Sequence, residues 1–166
     1  LINGEGGAVG SAAIQIAKAM GLEVTAVASG AKHNLVLSLG ADHAVDYTRD
    51  TVPGTTAQYD AILDCFGNLD HAGCRDALKA GGRLGLVVAG MPQYLAMPVI
   101  NLMSGKKVRA GVVAEKSEDL QELADLAVAG RFRPVIGACF PLDQAREAHR
   151  LLDEGHKTGN IVLRMV

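Results

Sequence analysis

The feature that most constrains this chain is a glycine-rich turn set between a strand-like stub and a helix-like stretch. Leu1-Ile2-Asn3 opens the chain and Gly4-Glu5-Gly6-Gly7-Ala8-Val9-Gly10 follows at once; Val9, Ala12, Ala13, Ile16, Ala17 and Met20 then recur at three- and four-residue steps up to Gly21. That spacing predicts an amphipathic helix ended by Gly21. A strand that enters a helix this way leaves the first helical N–H groups unpaired, and glycines let an anion approach them closely. The amides of Gly7, Ala8, Val9 and Gly10 are therefore candidate phosphate donors, with Gly4 making the turn. A tight strand-to-helix turn also needs glycine for steric reasons, so the motif counts only in context.

The context is alternation. Glu23–Ala28 reads as a second strand, Asn34–Leu39 as a short helix stopped by Gly40, and His43–Tyr47 as a third strand. Thr48–Gln58, with Pro53-Gly54 and many threonines, reads as loop. A strand at Ala61–Cys65, a helix from about Leu69 to Leu78, a turn at Lys79–Gly82 and an apolar strand at Arg83–Ala89 come next. Residues 91–105 read as an irregular apolar segment, Val108–Val113 as a strand and Ser117–Ala129 as an amphipathic helix. Pro134–Ala138, a helix at Asp143–Asp153 and Asn160–Met165 close the chain, and the last two strands fall outside the simple alternation. Strand and helix in turn, joined by short connections, predict an α/β fold with a doubly wound parallel sheet.

Composition narrows the function classes. Sixteen basic residues against eighteen acidic ones give a net charge of −2, which argues against a nucleic-acid partner and against a polybasic membrane binder. The longest apolar run, Leu84–Met91, is interrupted by glycine and too short to span a membrane. Three cysteines do not make a disulfide framework, and the expected setting is cytoplasmic. Cys65, Cys74 and Cys139 lack CxxC spacing, and no histidine pair stands at i, i+4, so no metal site is expected. The chain starts on Leu1 in mid-pattern, and the expectation is a piece of a longer protein. With 166 residues it is long enough for one sizeable core.

Six stretches in order carry a resemblance: INGEGGAVGSAAIQIAKAMG at 2–21, SLGADHAVDY at 38–47, YDAILDCFGN at 59–68, ALKAGGRLGLVVAG at 77–90, GKKVRAG at 105–111 and GHKTGNIVL at 155–163. Together they resemble the cofactor-binding half of the medium-chain dehydrogenase/reductase superfamily, nearest its zinc-independent quinone oxidoreductase and enoyl reductase branch. The resemblance implies a Rossmann-type domain over residues 1–132. Residues 133–166 would complete it or return to a catalytic domain whose N-terminal half lies outside this chain. Two departures stand out. Glu5 occupies a position where that branch usually has a small residue, and a carboxylate near a pyrophosphate must either face solvent or weaken binding. The loop 48–58 also lacks the family's usual helix, which implies a thinner sheet edge.

An NAD site normally carries an acid at the end of the second strand for the ribose hydroxyls. Here that position reads Ala28-Ser29-Gly30-Ala31-Lys32-His33, without a carboxylate. A 2′-phosphate would instead meet the Ser29 hydroxyl and the Lys32 ammonium, with His33 adding charge, which favours NADP(H) over NAD(H). A solvated polar turn reads the same way. The resemblance adds Tyr47 beside the adenosine end, and it puts Cys65, Phe66, Gly67, Val88, Ala89 and Gly90 at strand ends under the nicotinamide-side ribose. Lys157 and Asn160 match positions near the cofactor. It implies hydride transfer between NADPH and a quinone, enone or similar activated alkene, on a small-molecule substrate held by the other domain. No catalytic residue can be named, and this piece alone is expected to be inactive. The alternatives are the cofactor domain of a zinc-dependent alcohol dehydrogenase and a non-catalytic NADPH-binding module. A methyltransferase core fits less well, because it wants an acid before its glycine run and another after its second strand. In the family the sheet edge near 105–113 often makes dimers, so Val108–Val113 is a candidate homodimer strand.

Overall fold

The computed structural model describes residues 1–4, 7–111, 116–155 and 158–165. Strands β1 (Ile2–Asn3), β2 (Thr25–Ala28), β3 (His43–Asp46), β4 (Tyr59–Asp64), β5 (Leu78–Leu86) and β6 (Lys107–Ala110) form one sheet in the order β3-β2-β1-β4-β5-β6. Every neighbouring pair in it is parallel. This is the Rossmann-type α/β sheet that the alternation predicts. The chain winds outward on one side of β1 and then crosses to the other, so the strand order reverses there. A crevice for ligands opens at such a switch point, beyond the carboxyl ends of the strands.

Helices α1 (Ala8–Ala19) and α2 (His33–Ser38) close one apolar cluster, in which Ile14 and Val36 pack with Ile2, Val24, Ala26 and Ala28. A second cluster lies under α3 (His71–Cys74) and α4 (Met91–Met103), where Cys74, Ile62, Leu78, Leu84, Leu86 and Val108 are buried with Met97 and Ile100 against them. Ile14, Val36, Leu84 and Cys74 are fully shielded from solvent, which fixes the helices over the strands.

Three elements differ from the sequence reading. The helix expected from Leu69 to Leu78 is a single turn, His71–Cys74, capped by Asp70, whose Oδ1 accepts from Gly73 N at 2.8 Å. Its apolar end is taken by the sheet instead: the Ala77 carbonyl accepts from Gln58 and Tyr59, and Leu78 pairs with Tyr59. Lys79–Gly82, expected as a turn before the strand, lies inside β5. Tyr59 pairs with Leu78 and Ala61 with Arg83, so the surplus residues bulge from the ladder. Residues 91–103, expected to be irregular, form α4. Pro92 sits in its first turn, where a missing N–H costs nothing, and the interior Pro98 forfeits one helical bond, which packing of Met97 and Ile100 outweighs. Asn101 then brackets Val108, donating to its carbonyl at 3.1 Å and accepting from its N–H at 2.6 Å.

The loop 48–58 carries no helix, as expected. Helix α5 (Ser117–Val128) forms where its pattern predicts, with no residue buried among those described. Strands β7 (Ile136–Pro141) and β8 (Asn160–Arg164) pair with each other, in parallel, as a separate two-stranded sheet spanned by α6 (Ala145–Asp153). Gln15 ties this tail to α1, accepting from Arg133 N at 2.8 Å and donating to its carbonyl at 3.0 Å. A parallel bridge between Gly7 and Gly159 brings the start of β8 against the glycine turn.

Candidate functional site

At the end of β1, Gly4 adopts φ +89°, and a Cβ there would come within 3.0 Å of both Phe66 N and Phe66 Cβ. The chain can therefore leave β1 closely past the end of β4 only as glycine. Gly7 caps α1 in an extended conformation, and its carbonyl accepts from Ser11 N at 3.1 Å. Among the described residues no side chain caps this end and no acid stands in the first turn, so the N–H groups of Ala8, Val9 and Gly10 meet no side-chain partner there and can turn to an anion. Glu5, with its question of charge, lies outside the described residues, as do Lys157 and His156.

Beside this loop lies a buried polar knot that sequence reasoning missed. Asp64 is fully buried at the end of β4. Its Oδ1 accepts from Asn3 Nδ2 at 2.8 Å and from the amides of Phe66 and Gly67, both at 3.0 Å, while Oδ2 accepts from Leu69 N at 2.9 Å. Asn3 also donates to Asn68 Oδ1 at 2.6 Å. One carboxylate thus folds the whole turn after β4 and ties it to β1. Its signal is a carboxylate at an inward position, two residues after buried Ile62 and just before Cys65-Phe66-Gly67-Asn68. Gly67, at φ +91°, presses on Val88, whose Cβ would lie 3.1 Å from a Cβ at 67. Gly4, Phe66, Gly67 and Val88 therefore form one continuous row across the ends of β1, β4 and β5. Cys65 is half-buried below it and donates its N–H to Asn3 O at 2.9 Å. Ala89 is half-buried beyond the end of β5, and Gly90 starts α4, its N–H donating to Gln93 Oε1 at 3.0 Å. Phe66 and Val88 expose 69% and 57% of their surfaces, an apolar rim on the crevice.

At the end of β2, Ser29 opens a 3-10 turn over Gly30–Lys32, with Lys32 N donating to its carbonyl at 2.8 Å. Neither the Ser29 hydroxyl nor the Lys32 ammonium has a hydrogen-bond partner among the described residues. His33 Nε2 is buried without a partner there. Tyr47, 60% exposed, stands at the end of β3 nearby. The residue before it, Asp46, was also missed: its Oδ1 accepts from Thr48 N at 2.9 Å and Thr48 Oγ1 at 2.7 Å. Those two bonds hold its carboxyl below the ordinary carboxylate range, with the charges of His33 and Arg49 adding to them. Asn160 is brought to the glycine turn by the Gly7–Gly159 bridge, but its side chain donates to Val135 O at 3.0 Å and so braces the tail.

The residues present fit a dinucleotide. An uncapped helix start suits a pyrophosphate, the orphaned His33 nitrogen and unpaired Ser29 and Lys32 suit polar groups at the adenosine end, and an apolar rim suits an aromatic ring at the other. Two competitors fit less well. Cys74 is buried, which pushes its thiol up to about 12, so it is no nucleophile. A cleft of about 470 Å³ on the far side is lined by Gln15, Lys18, Ser38, Gly130, Arg131 and Arg133. There α1, α2 and α5 all end; Arg131 answers the C-terminus of α1 by donating to the Ala19 carbonyl, and Lys18 is paired with Asp42.

A doubly wound parallel sheet with a glycine turn at its switch point defines a Rossmann-type dinucleotide-binding unit. Residues 39–163 match the model of a family described as zinc-binding dehydrogenase, and the chain belongs to that family, within the medium-chain dehydrogenase/reductase superfamily. It is 33% identical over 185 residues to the mitochondrial NAD(P)H oxidoreductase RTN4IP1 of Danio rerio, covering 98% of this chain and 48% of that protein. It is 32% identical over 170 residues to the chloroplastic quinone-oxidoreductase QR1 of Triphysaria versicolor, covering 98% and 51%. Among solved structures, the quinone oxidoreductase from Coxiella burnetii superposes with a TM-score of 0.86 at 26% identity, covering 99% of this chain and 52% of that one. The chain spans about half the length of the curated relatives it matches. The family's description mentions zinc; among the described residues no three His, Cys, Asp or Glu side chains converge as ligands. No helix among the described residues is long and apolar enough to cross a membrane.

Proposed function

We propose that this chain is the NADP(H)-binding part of an oxidoreductase that passes hydride between the cofactor and a quinone, enone or similarly activated alkene. The observation that carries the reading is the uncapped start of α1 at the sheet's switch point, in line with the unpaired Ser29 and Lys32 at the end of β2. The amides of Ala8, Val9 and Gly10 would hold the pyrophosphate, and Ser29 and Lys32 the 2′-phosphate. Phe66 and Gly67, fixed by the Asp64 knot, and Val88, packed against Gly67, would set the depth of the nicotinamide and keep water from one of its faces. The cofactor supplies the hydride itself. The acceptor class rests on the likeness to quinone oxidoreductases. The name of the Danio relative covers both cofactors, so the preference for NADP(H) rests on Ser29 and Lys32.

Calorimetric titration of the chain with NADPH and with NADH tests this. Tighter binding of NADPH is expected; equal binding of the two overturns the phosphate assignment, and binding of neither overturns the site. We also propose a homodimer through β6, the edge strand, whose outer side pairs with no strand among the described residues. Of the candidate Val108–Val113, residues 112 and 113 lie outside the described residues, and the strand itself is Lys107–Ala110.

A further inference from the structure

The end of β2 has no acid of its own, yet the fold delivers one from the neighbouring strand. Asp46 pairs with Ala28 in the β2–β3 register, so it stands level with the last residue before Ser29. Its carboxylate reaches across to the turn: a Cβ on Gly30 would lie 2.9 Å from Asp46 Oδ2. Oδ1 is engaged by both the N–H and the hydroxyl of Thr48, which leaves Oδ2 as the oxygen facing the turn. The same turn carries the cation that a 2′-phosphate would need, Lys32, with the His33 imidazole next to it. The end of β2 is therefore of mixed charge: the Asp46 carboxylate at the end of β3 and the Lys32 ammonium in the turn after β2 flank one place.

We propose that Asp46 is a specificity-determining residue at the adenosine end, whose carboxylate lowers the site's preference for a 2′-phosphate over a free 2′-hydroxyl. The inference rests on the cofactor reading above. Its physics is direct. A phosphate of nearly two negative charges meets repulsion from an ionised carboxylate beside the turn, whereas a ribose hydroxyl can donate to it. Because the turn is solvated, the repulsion is moderate and screened by salt. Asp46 stays ionised across the neutral range, since Thr48 favours its charged form.

The test compares the wild-type chain with Asp46→Asn, titrated calorimetrically with adenosine 2′,5′-bisphosphate and with adenosine 5′-monophosphate. Asparagine keeps an oxygen for the two Thr48 bonds and removes the charge. The ratio of affinities for bisphosphate over monophosphate is expected to rise about three- to tenfold in Asp46→Asn at low salt, and the rise is expected to shrink at about 0.5 M salt. Thr48→Val loosens the same turn while leaving the charge, and is expected to leave the ratio unchanged. A ratio unmoved or lowered in Asp46→Asn overturns the proposal while leaving the cofactor reading intact. A rise in Thr48→Val as large as in Asp46→Asn also overturns it, because turn geometry would then be the cause. Failure of both probes to bind either protein overturns this proposal and the cofactor reading together.

Discussion

Replacing Asp64 tests whether the turn after β4 is built by one carboxylate. Four donors converge on it: Asn3 Nδ2, the Phe66 and Gly67 amides on Oδ1, and the Leu69 amide on Oδ2. In Asp64→Asn the remaining oxygen keeps the first three, while the new amide group faces Leu69 N donor to donor. One buried N–H left without an acceptor costs about 1–3 kcal/mol, and the surviving bonds lose their charge assistance. Relief of burying a charge offsets part of this. The expected net loss is about 2–3 kcal/mol, or roughly 5–10 °C in Tm for a domain of this size. Asp64→Ala strands all four donors; because Phe66 and Gly67 are exposed, water can reach some of them, and the loss is expected to be at least about 4 kcal/mol. Urea unfolding followed by circular dichroism reads both. Stability within about 0.5 kcal/mol of wild type for Asp64→Asn, or equal losses for the two variants, refutes the account of this turn.

Three further predictions follow from single contacts. Lys32→Ala should weaken NADPH binding about tenfold and NADH binding little, by calorimetry; equal losses sink its role as a phosphate ligand. Gly67→Ala should destabilise by about 1–2 kcal/mol, because φ is +91° and the new Cβ meets Val88 at 3.1 Å; an unchanged melting curve contradicts the close packing of that row. Asp42 accepts from Lys18 Nζ at 2.7 Å and from Val24 N at 2.7 Å, which lowers its pKa below the ordinary 3.8. A depressed folded pKa contributes stability that is complete above the unfolded value and lost as pH falls through the folded one. The advantage of wild type over Asp42→Asn should therefore be full at neutral pH and vanish in strong acid; an advantage that grows on acidification has the wrong sign.

The sheet was legible because its signals are local. The glycine spacing at 4–10, the three- and four-residue steps through Met20 and the apolar strands each announce one element, and parallel topology follows from their alternation. What escaped depends on distant partners. The Ala77–Leu78 end of the expected third helix is captured by the β4 edge, which no local period reveals. Helix α4 hides behind two prolines and forms because Met97 and Ile100 find the second core cluster. At the site, the glycine spacing gives Gly4, and the resemblance places Phe66, Gly67 and Val88 at strand ends; the structure brings the four into contact. Asp46 and Asp64 were passed over because a carboxylate's role is set by what surrounds it: Thr48 and Gly30 for one, Asn3 and three backbone amides for the other.

The most direct test of the account is amide chemical-shift mapping of the 15N-labelled chain during titration with NADPH. The account predicts the largest shifts at Gly7–Gly10, Ser29, Lys32 and Gly67, along the carboxyl ends of the strands. Shifts confined to the far-side cleft, at Lys18, Ala19 and Arg131, would contradict it.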